Sequence, residues 1–383
     1  MIKITVNRTL LSLAGAALVS VCLAVFPAHA DKAVGVNVNG LGSQLADLST
    51  YGMLQRSGTV WVRMFVDMSQ LRGKSQAEID ADVDIANFRA LHNAGYKTIL
   101  NLKWATNGRD FPGPGTQGRL DDFDVMRKVI NGAGAGSIDI VVVGNEPFRE
   151  TDLAFRDADM TDWYKRMAQE VRNFRNNNNY SYLIYMGAFN NVHLPAERTT
   201  VFNDLMQFAN SQSWIAGVDL HMHHTLIEEW DDALSFTLGQ IRSNQNILVT
   251  EFSLMRWYKS NNTNPLVSAY ANKYYPGGTT KKVWQELLAL QNVKSTARWL
   301  DFNAMHNFTN SRRHYLRNLH RDYFNVTSNK INVATFALRQ NAFPNYSSNS
   351  DAWIYNGLFC FSTCAPEDEG FQWLDDFKTL PKQ

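Results

Sequence analysis

The chain has 383 residues, more than one average domain but within the range of a single α/β barrel with insertions. Its net charge is +1 with no long run of either sign, which argues against a nucleic-acid groove or a polybasic membrane patch. Aromatic residues make up 12%, enough to fill a large core and also to furnish surfaces that stack on flat or ring-shaped ligands.

The first thirty residues, "MIKITVNRTLLSLAGAALVSVCLAVFPAHA", read as an export signal. Lys3 and Arg8 give a basic start, Leu10 to Phe26 an apolar stretch, and Ala28 and Ala30 the small residues of a cleavage site before Asp31. The competing reading is a retained anchor, for which the apolar run is short. Residues 31–383 are expected to form the mature, secreted or periplasmic protein, with no later segment able to cross a bilayer. Cys360 and Cys364 in "CFSTC" then remain, a plausible small-loop disulfide; a metal site would want more ligands nearby.

Along the mature chain, apolar strand-like runs alternate with amphipathic helical stretches, the pattern of parallel βαβ units. The expected strands are "VGVNVNG" from Val34, "TVWVRMFVD" from Thr59, "KTILNLKW" from Lys97, "IDIVVVGN" from Ile138, "YLIYMGAFN" from Tyr182, "AGVDLHMHH" from Ala216, "NILVTEFS" from Asn246 and "RWLDFNAMHNF" from Arg298. Between them, "AEIDADVDIANFRALHNAG" carries Ile79, Val83, Ile85, Phe88 and Leu91 near a 3.6 period, with Gly95 placed to end the helix. "MTDWYKRMAQEVRNFRN" is expected to start at a Thr161 or Asp162 cap and to bury Trp163, Met167, Val171 and Phe174. Eight strand and helix pairs close most naturally into one α/β (β/α)₈ TIM barrel, and no G-x-G-x-x-G follows the first strand to suggest a doubly wound sheet. The stretch 309–352, rich in Asn, Ser and Arg, reads as a long loop insertion after the eighth strand, followed by a helix in "FQWLDDFKTL".

In such a barrel, chemistry belongs at the C-terminal ends of the strands. "VVVGNEPF" carries Asn145 and Glu146 out of an all-valine strand, and "NILVTEFS" presents Glu251 in the same manner. Two carboxylates facing each other across a barrel mouth can divide proton donation from nucleophilic attack, because each ionised acid raises the other's proton affinity. The pair "NEP" on strand four and "TEF" on strand seven resembles the large clan of retaining glycoside hydrolases built on (β/α)₈ barrels. That resemblance implies Glu146 as acid/base and Glu251 as nucleophile. It further implies that Asn145 bonds a sugar 2-hydroxyl and that Arg63, in "WVRMFV", holds the nucleophile ionised.

Strand six ends "DLHMHH", and alternation sends Asp219, His221 and His223 to one side. The resembling clan commonly has His-x-Tyr here, so His223 stands where a tyrosine is expected. His221 and His223 read as substrate-binding residues; zinc ligation, which H-x-H spacing beside an acid allows, and a hydrogen-bonded structural cluster are the alternatives. Trp104, Asn190, Asn191, Trp257 and Tyr258 lie at other strand ends, as stacking and hydrogen-bonding partners of a sugar. The clan's tryptophan from strand eight is missing from "NAMHNF", with His306, Phe308 or Trp353 as substitutes, while "YNGLF" at 355 to 359 resembles the "GLF" segment before the last helix of these barrels. The expectation is thus retaining hydrolysis of a β-linked glycoside or polysaccharide by a monomer with no cofactor, no nucleic-acid partner and no membrane insertion after signal cleavage. A non-catalytic carbohydrate-binding barrel and a secreted metal-dependent hydrolase using His221 and His223 are the rivals.

Overall fold

The computed structural model describes residues 32–38, 52–105, 110–341, 345–366 and 368–382; the export signal read at 1–30 lies outside them. Eight parallel strands form a closed barrel in sequence order: β1 (Ala33–Asn37), β2 (Trp61–Asp67), β3 (Lys97–Lys103), β4 (Ile140–Val143), β5 (Leu183–Asn190), β6 (Gly217–His223), β7 (Asn246–Ser253) and β8 (Ile331–Ala337). β1 pairs with both β2 and β8, which closes the ring. No helix among the described residues is long and apolar enough to cross a membrane.

Seven strands fall where the sequence puts them, but the eighth does not. "RWLDFNAMHNF" is helical, Thr296–Met305 followed by Asn307–Asn310, because its buried side chains Trp299, Phe302, Asn303 and His306 recur at helical spacing and Ser295 caps the start. The true β8 is "INVATFA", whose Ile331, Val333 and Thr335 are β-branched residues suited to a strand. The segment 309–352 is therefore not one insertion after the eighth strand: it contains that strand. The long connection lies instead between β7 and β8, from 254 to 330, and carries several short helices.

Two helices also differ in detail. The first candidate breaks into Gln76–Asp80 and Val83–Asn93, because Asp82 caps the second piece by accepting from the Asp84 and Ile85 amides. The other runs Ala158–Asn177 and is capped by Asp157 rather than Thr161 or Asp162; it buries Trp163, Met167 and Val171, with Phe174 half-buried. Cys360 and Cys364 form a disulfide, Cα atoms 5.4 Å apart, in the segment after β8.

The barrel interior is layered. At its floor, Ala33, Trp61, Ile99, Ile140, Val142, Tyr185, Leu248 and Val333 form an apolar cluster separate from the larger one between strands and helices. Since strand side chains alternate, the next inward position is two residues further on. There the chain places Arg63, Asn101, Asp219, Thr250 and Thr335, all fully buried. Two of their hydrogen bonds cross the barrel between strands that are not neighbours: Asn101 Nδ2 donates to Asp219 Oδ2 (3.0 Å) and Asn37 Nδ2 to the Thr250 carbonyl (3.2 Å), while Arg63 Nε donates to Asn101 Oδ1 (3.1 Å) on the adjacent strand. A polar tier thus separates the apolar floor from the mouth.

Candidate active site

β4 delivers Glu146 by a sharp exit. Gly144 adopts φ 112°, and a side chain there would run into the Gly187 carbonyl oxygen, so only glycine lets β4 and β5 approach this closely. Glu146 itself is left-handed (φ 48°, ψ 51°), a conformation costing about 1 to 2 kcal/mol for a non-glycine residue, and Pro147 then starts the short helix Pro147–Glu150. The turn points the carboxylate across the mouth instead of continuing the strand.

Glu251 arrives by a different device. Register between β6 and β7 steps from Leu220 opposite Val249 to His221 opposite Glu251, leaving Thr250 as an extra residue on β7. Such a bulge resets the alternation. Leu248 and Thr250 face inward below it, and Glu251 and Ser253 face the opening above it, as their partners show: Leu248 packs in the floor cluster and the Thr250 hydroxyl meets Asp219, while Glu251 meets Arg63 and Ser253 meets His223.

The two acids come together with both histidines. One ligand atom each from Glu146, His221, His223 and Glu251 lies within 4.8 Å of all the others. Arg63 Nη1 is 2.6 Å from Glu251 Oε1, and its Nη2 donates to Asn145 Oδ1. Asn145 Nδ2 in turn donates to Glu150 (2.9 Å), a partly buried acid that also pairs with Lys103 at 2.7 Å. Asn190 Nδ2 donates to Glu146 Oε1, to which His221 Nδ1 is bonded at 2.8 Å. His221 Nε2 lies 3.0 Å from Thr250 Oγ1, which donates to Asp219 Oδ2 at 2.5 Å. Because that hydroxyl spends its proton on Asp219, Nε2 is the donor and Nδ1 faces Glu146, so one proton is shared along the Nδ1 to Oε1 contact.

The charges follow from this packing. Burial raises the Glu146 carboxyl, but the hydrogen bond from His221 and the nearby imidazoles of His221 and His223 outweigh it and hold the group well below the usual carboxylate range. Burial also acts to raise Glu251, and the charges of His221 and Arg63 overcome it to leave a net lowering. His221 is raised: burial opposes its charge, and the two glutamates win. The charge of Glu146 does raise Glu251 as expected of paired acids, but His221 and Arg63 outweigh it. The lowering of Glu146 and the raising of His221 both draw the shared proton toward the imidazole side of the 2.8 Å contact, one hydrogen bond away from Glu146.

Other expected residues divide clearly. Asn145, Arg63, Asn190, His221 and His223 stand around the two acids, and buried Asn191, also left-handed at φ 48°, donates its amide to the His221 carbonyl (3.1 Å). Trp104 does not line the opening: only 2% exposed, it packs on Trp163 at 4.9 Å with the Arg72 guanidinium over its ring. Tyr258 is stacked on Tyr355 in the core. Trp257 is held by the β7–β8 connection, its Nε1 donating to the Phe308 carbonyl (2.9 Å) and Arg312 lying over its ring; it makes no hydrogen bond to either acid among the described residues. His306 is buried against Phe302. Of the three substitutes for the strand-eight tryptophan, Trp353 touches the site, edge-on to His223 at 4.6 Å, from the segment after β8. Sequence reasoning missed Asn101, Thr250, Ser253, Lys103 and Glu150. The signal for the first two was present: a lone polar residue at an inward position of an otherwise apolar strand.

No protein-family model matches the chain, and no curated protein matches it either. Solved structures do share its fold. A family 39 glycoside hydrolase from Bacteroides cellulosilyticus WH2 superposes with TM-score 0.51 at 13% identity, covering 92% of this chain and 64% of its own. A GH5_18 protein from Bifidobacterium longum subsp. infantis gives TM-score 0.52 at 10% identity, with 92% and 79% covered. A glucosidase from Croceicoccus marinus gives 0.51 at 10% identity, with 92% and 69% covered. The chain thus spans slightly less than two thirds of the family 39 enzyme. At these identities the likeness establishes the barrel; the chemistry must be argued from the residues.

Proposed function

We propose that this protein hydrolyses a β-linked glycoside or polysaccharide with retention of configuration, Glu146 serving as acid/base and Glu251 as nucleophile. The observation that carries the reading is the close approach of two carboxylates at the ends of β4 and β7, with oxygens within 4.8 Å and Arg63 anchoring one of them. Retaining enzymes hold their carboxyl groups about 5 to 5.5 Å apart, whereas inversion needs about 6.5 Å or more to admit a water. The solved structures named above as sharing the barrel include glycoside hydrolases, which fits the reading without deciding it.

In this mechanism, sugar binding expels water from the mouth and moves the shared proton along the 2.8 Å contact from His221 Nδ1 to Glu146 Oε1. Glu251, with Oε1 held by Arg63, attacks the anomeric carbon through Oε2 as the glycosidic C–O bond breaks; Glu146 gives its proton to the leaving oxygen. Esterification removes the negative charge of Glu251, so Glu146 is again favoured as an anion, the form needed to take a proton from the water that releases the sugar. Asn145 and Asn190 are positioned for sugar hydroxyls, and Trp353 with His223 forms one wall. We further propose export with cleavage after Ala30, in keeping with a polysaccharide substrate met outside the cytoplasm, and action as a monomer.

Incubation with a panel of 2-deoxy-2-fluoro-β-glycosyl fluorides followed by peptide mapping tests the assignment. The expected result is a single label on Glu251 with that glycone whose natural β-linked polymer is cleaved. Glu251→Gln should lower kcat on the order of 10⁴-fold, and Glu146→Gln by about 10² to 10⁴-fold with partial recovery on substrates whose leaving group needs no proton. Label on any other residue, or wild-type turnover by both variants, would remove the reading.

A further inference from the structure

His223 is the residue the hydrolytic scheme uses least. It is 5% exposed, its Nδ1 lies 2.9 Å from Ser253 Oγ, and its Nε2 is buried with no hydrogen-bond partner. That nitrogen faces Glu146 Oε1 at 3.7 Å and Glu251 Oε2 at 3.9 Å, too far to bond either. An orphaned buried imidazole nitrogen aimed between two carboxylates marks a point that a small electrophile would fill.

We propose that His221 Nδ1, His223 Nε2, Glu146 Oε1 and Glu251 Oε2 form a tetrahedral site for one divalent first-row transition metal, Zn²⁺ in the first instance, and that metal and sugar exclude each other. The separations suit such an ion. A tetrahedron with metal–ligand bonds of about 2.0 to 2.1 Å has edges of about 3.3 Å. Four of the six observed edges are 2.8 Å for His221 to Glu146, 3.7 Å for His223 to Glu146, and 3.9 Å from each histidine to Glu251, and the other two are within 4.8 Å, so the four side chains must draw together to close the shell.

The outer nitrogens are already engaged. Thr250 Oγ1 accepts from His221 Nε2 and Ser253 Oγ lies 2.9 Å from His223 Nδ1, so the inward nitrogens are the ones left to ligate, and the proton shared between His221 Nδ1 and Glu146 leaves as the metal enters. Arg63 occupies Glu251 Oε1 and leaves Oε2 to the metal. Its positive charge, 3.5 Å from His221 Nε2, opposes a cation, but two carboxylates and two neutral imidazoles outweigh one guanidinium. Binding would take up Glu146 and Glu251 together, so a loaded site has neither acid nor nucleophile. Only this inhibitory consequence rests on the hydrolytic reading; the site itself does not.

The test is titration of the chelator-treated full chain with Zn²⁺ against a chromophoric zinc indicator, without substrate. One equivalent should bind at micromolar or lower concentration, with affinity reduced on the order of 100-fold in His223→Gln and in Glu146→Gln and about tenfold in Ser253→Ala. Circular-dichroism melting checks that each variant is folded, and the visible spectrum of the Co²⁺ form should have the intensity of a four-coordinate site. No stoichiometric binding, equal binding by wild type and both ligand variants, or a six-coordinate Co²⁺ spectrum would overturn the proposal. A protein that binds Zn²⁺ but cleaves no glycoside sinks the hydrolase alone; one that cleaves glycosides and ignores Zn²⁺ sinks the metal site alone.

Discussion

The floor of the barrel and the tier two residues above it are built on the same strands, yet they hold the protein together by different physics. Trp61, Ile99, Leu248 and Val333 fill the floor with apolar volume; Arg63, Asn101, Thr250 and Thr335, their successors along β2, β3, β7 and β8, fill the tier with paired polar groups. The floor is stabilised by burial, about 1.5 to 3 kcal/mol for a large aliphatic side chain. The tier gains only about 1 kcal/mol net per hydrogen bond, but removing one member strands its partners in a dry interior. The difference locates function: a change in the floor should be felt as stability alone, and one in the tier as stability and chemistry together.

The largest expected effect is Arg63→Met. It removes the buried cation from Glu251 and leaves Asn101 and Asn145 without their donor, which should cost about 3 to 5 kcal/mol in urea unfolding. Glu251 would be pushed up in pKa, and kcat/KM on a cleaved glycoside should fall about 10² to 10³-fold. Unchanged unfolding and unchanged kinetics would erase the distinction between the layers. Leu248→Ala is the control from the floor, two residues before Thr250 on β7. A loss of about 2 to 5 kcal/mol is expected from the cavity, with kcat/KM measured well below the melting temperature staying within about twofold. A tenfold loss of turnover in this variant would mean that floor and mouth are mechanically coupled.

Most of this architecture was legible because it is written in periods. Seven strands announce themselves as apolar runs ended by polar residues, and the strand ends put Asn145, Glu146, Asn190, His221, His223 and Glu251 where the structure gathers them, with Arg63 reaching them from within β2. The eighth strand was hidden because "INVATFA" lies in a polar neighbourhood while "RWLDFNAM" carries the large apolar side chains Trp299, Leu300 and Phe302 in a run short enough to pass for a strand. The extra residue on β7 could not be read either: a bulge depends on the register of β6, which is a property of two strands at once. The aromatic positions misled for a related reason. Trp104 follows β3 as a ligand-stacking residue would, but Trp163 on the helix after β4 covers it, and only tertiary packing decides that.

Thr250 joins the tier to the mouth, and a small change there sharpens the comparison furthest. His221 faces Glu146 from β4, Glu251 and Thr250 from β7, Arg63 from β2 and His223 from its own strand. Its folded pKa is raised above the ordinary 6.5, so the stability it contributes is fully present below about 6.5 and is lost as pH rises through the higher folded value. The alkaline limb of kcat/KM, which follows loss of the shared proton, is therefore expected above 6.5, and the acid limb, set by lowered Glu251, below 4.5. Thr250→Val keeps the shape of the side chain but takes the acceptor from His221 Nε2 and a donor from Asp219. It should cost about 1 to 2 kcal/mol and move the alkaline limb to lower pH, with Thr250→Ser restoring it, since the hydroxyl that favours the imidazolium is returned. A limb that stays in place while stability drops would assign Thr250 to packing and confine the chemistry to the residues above the tier.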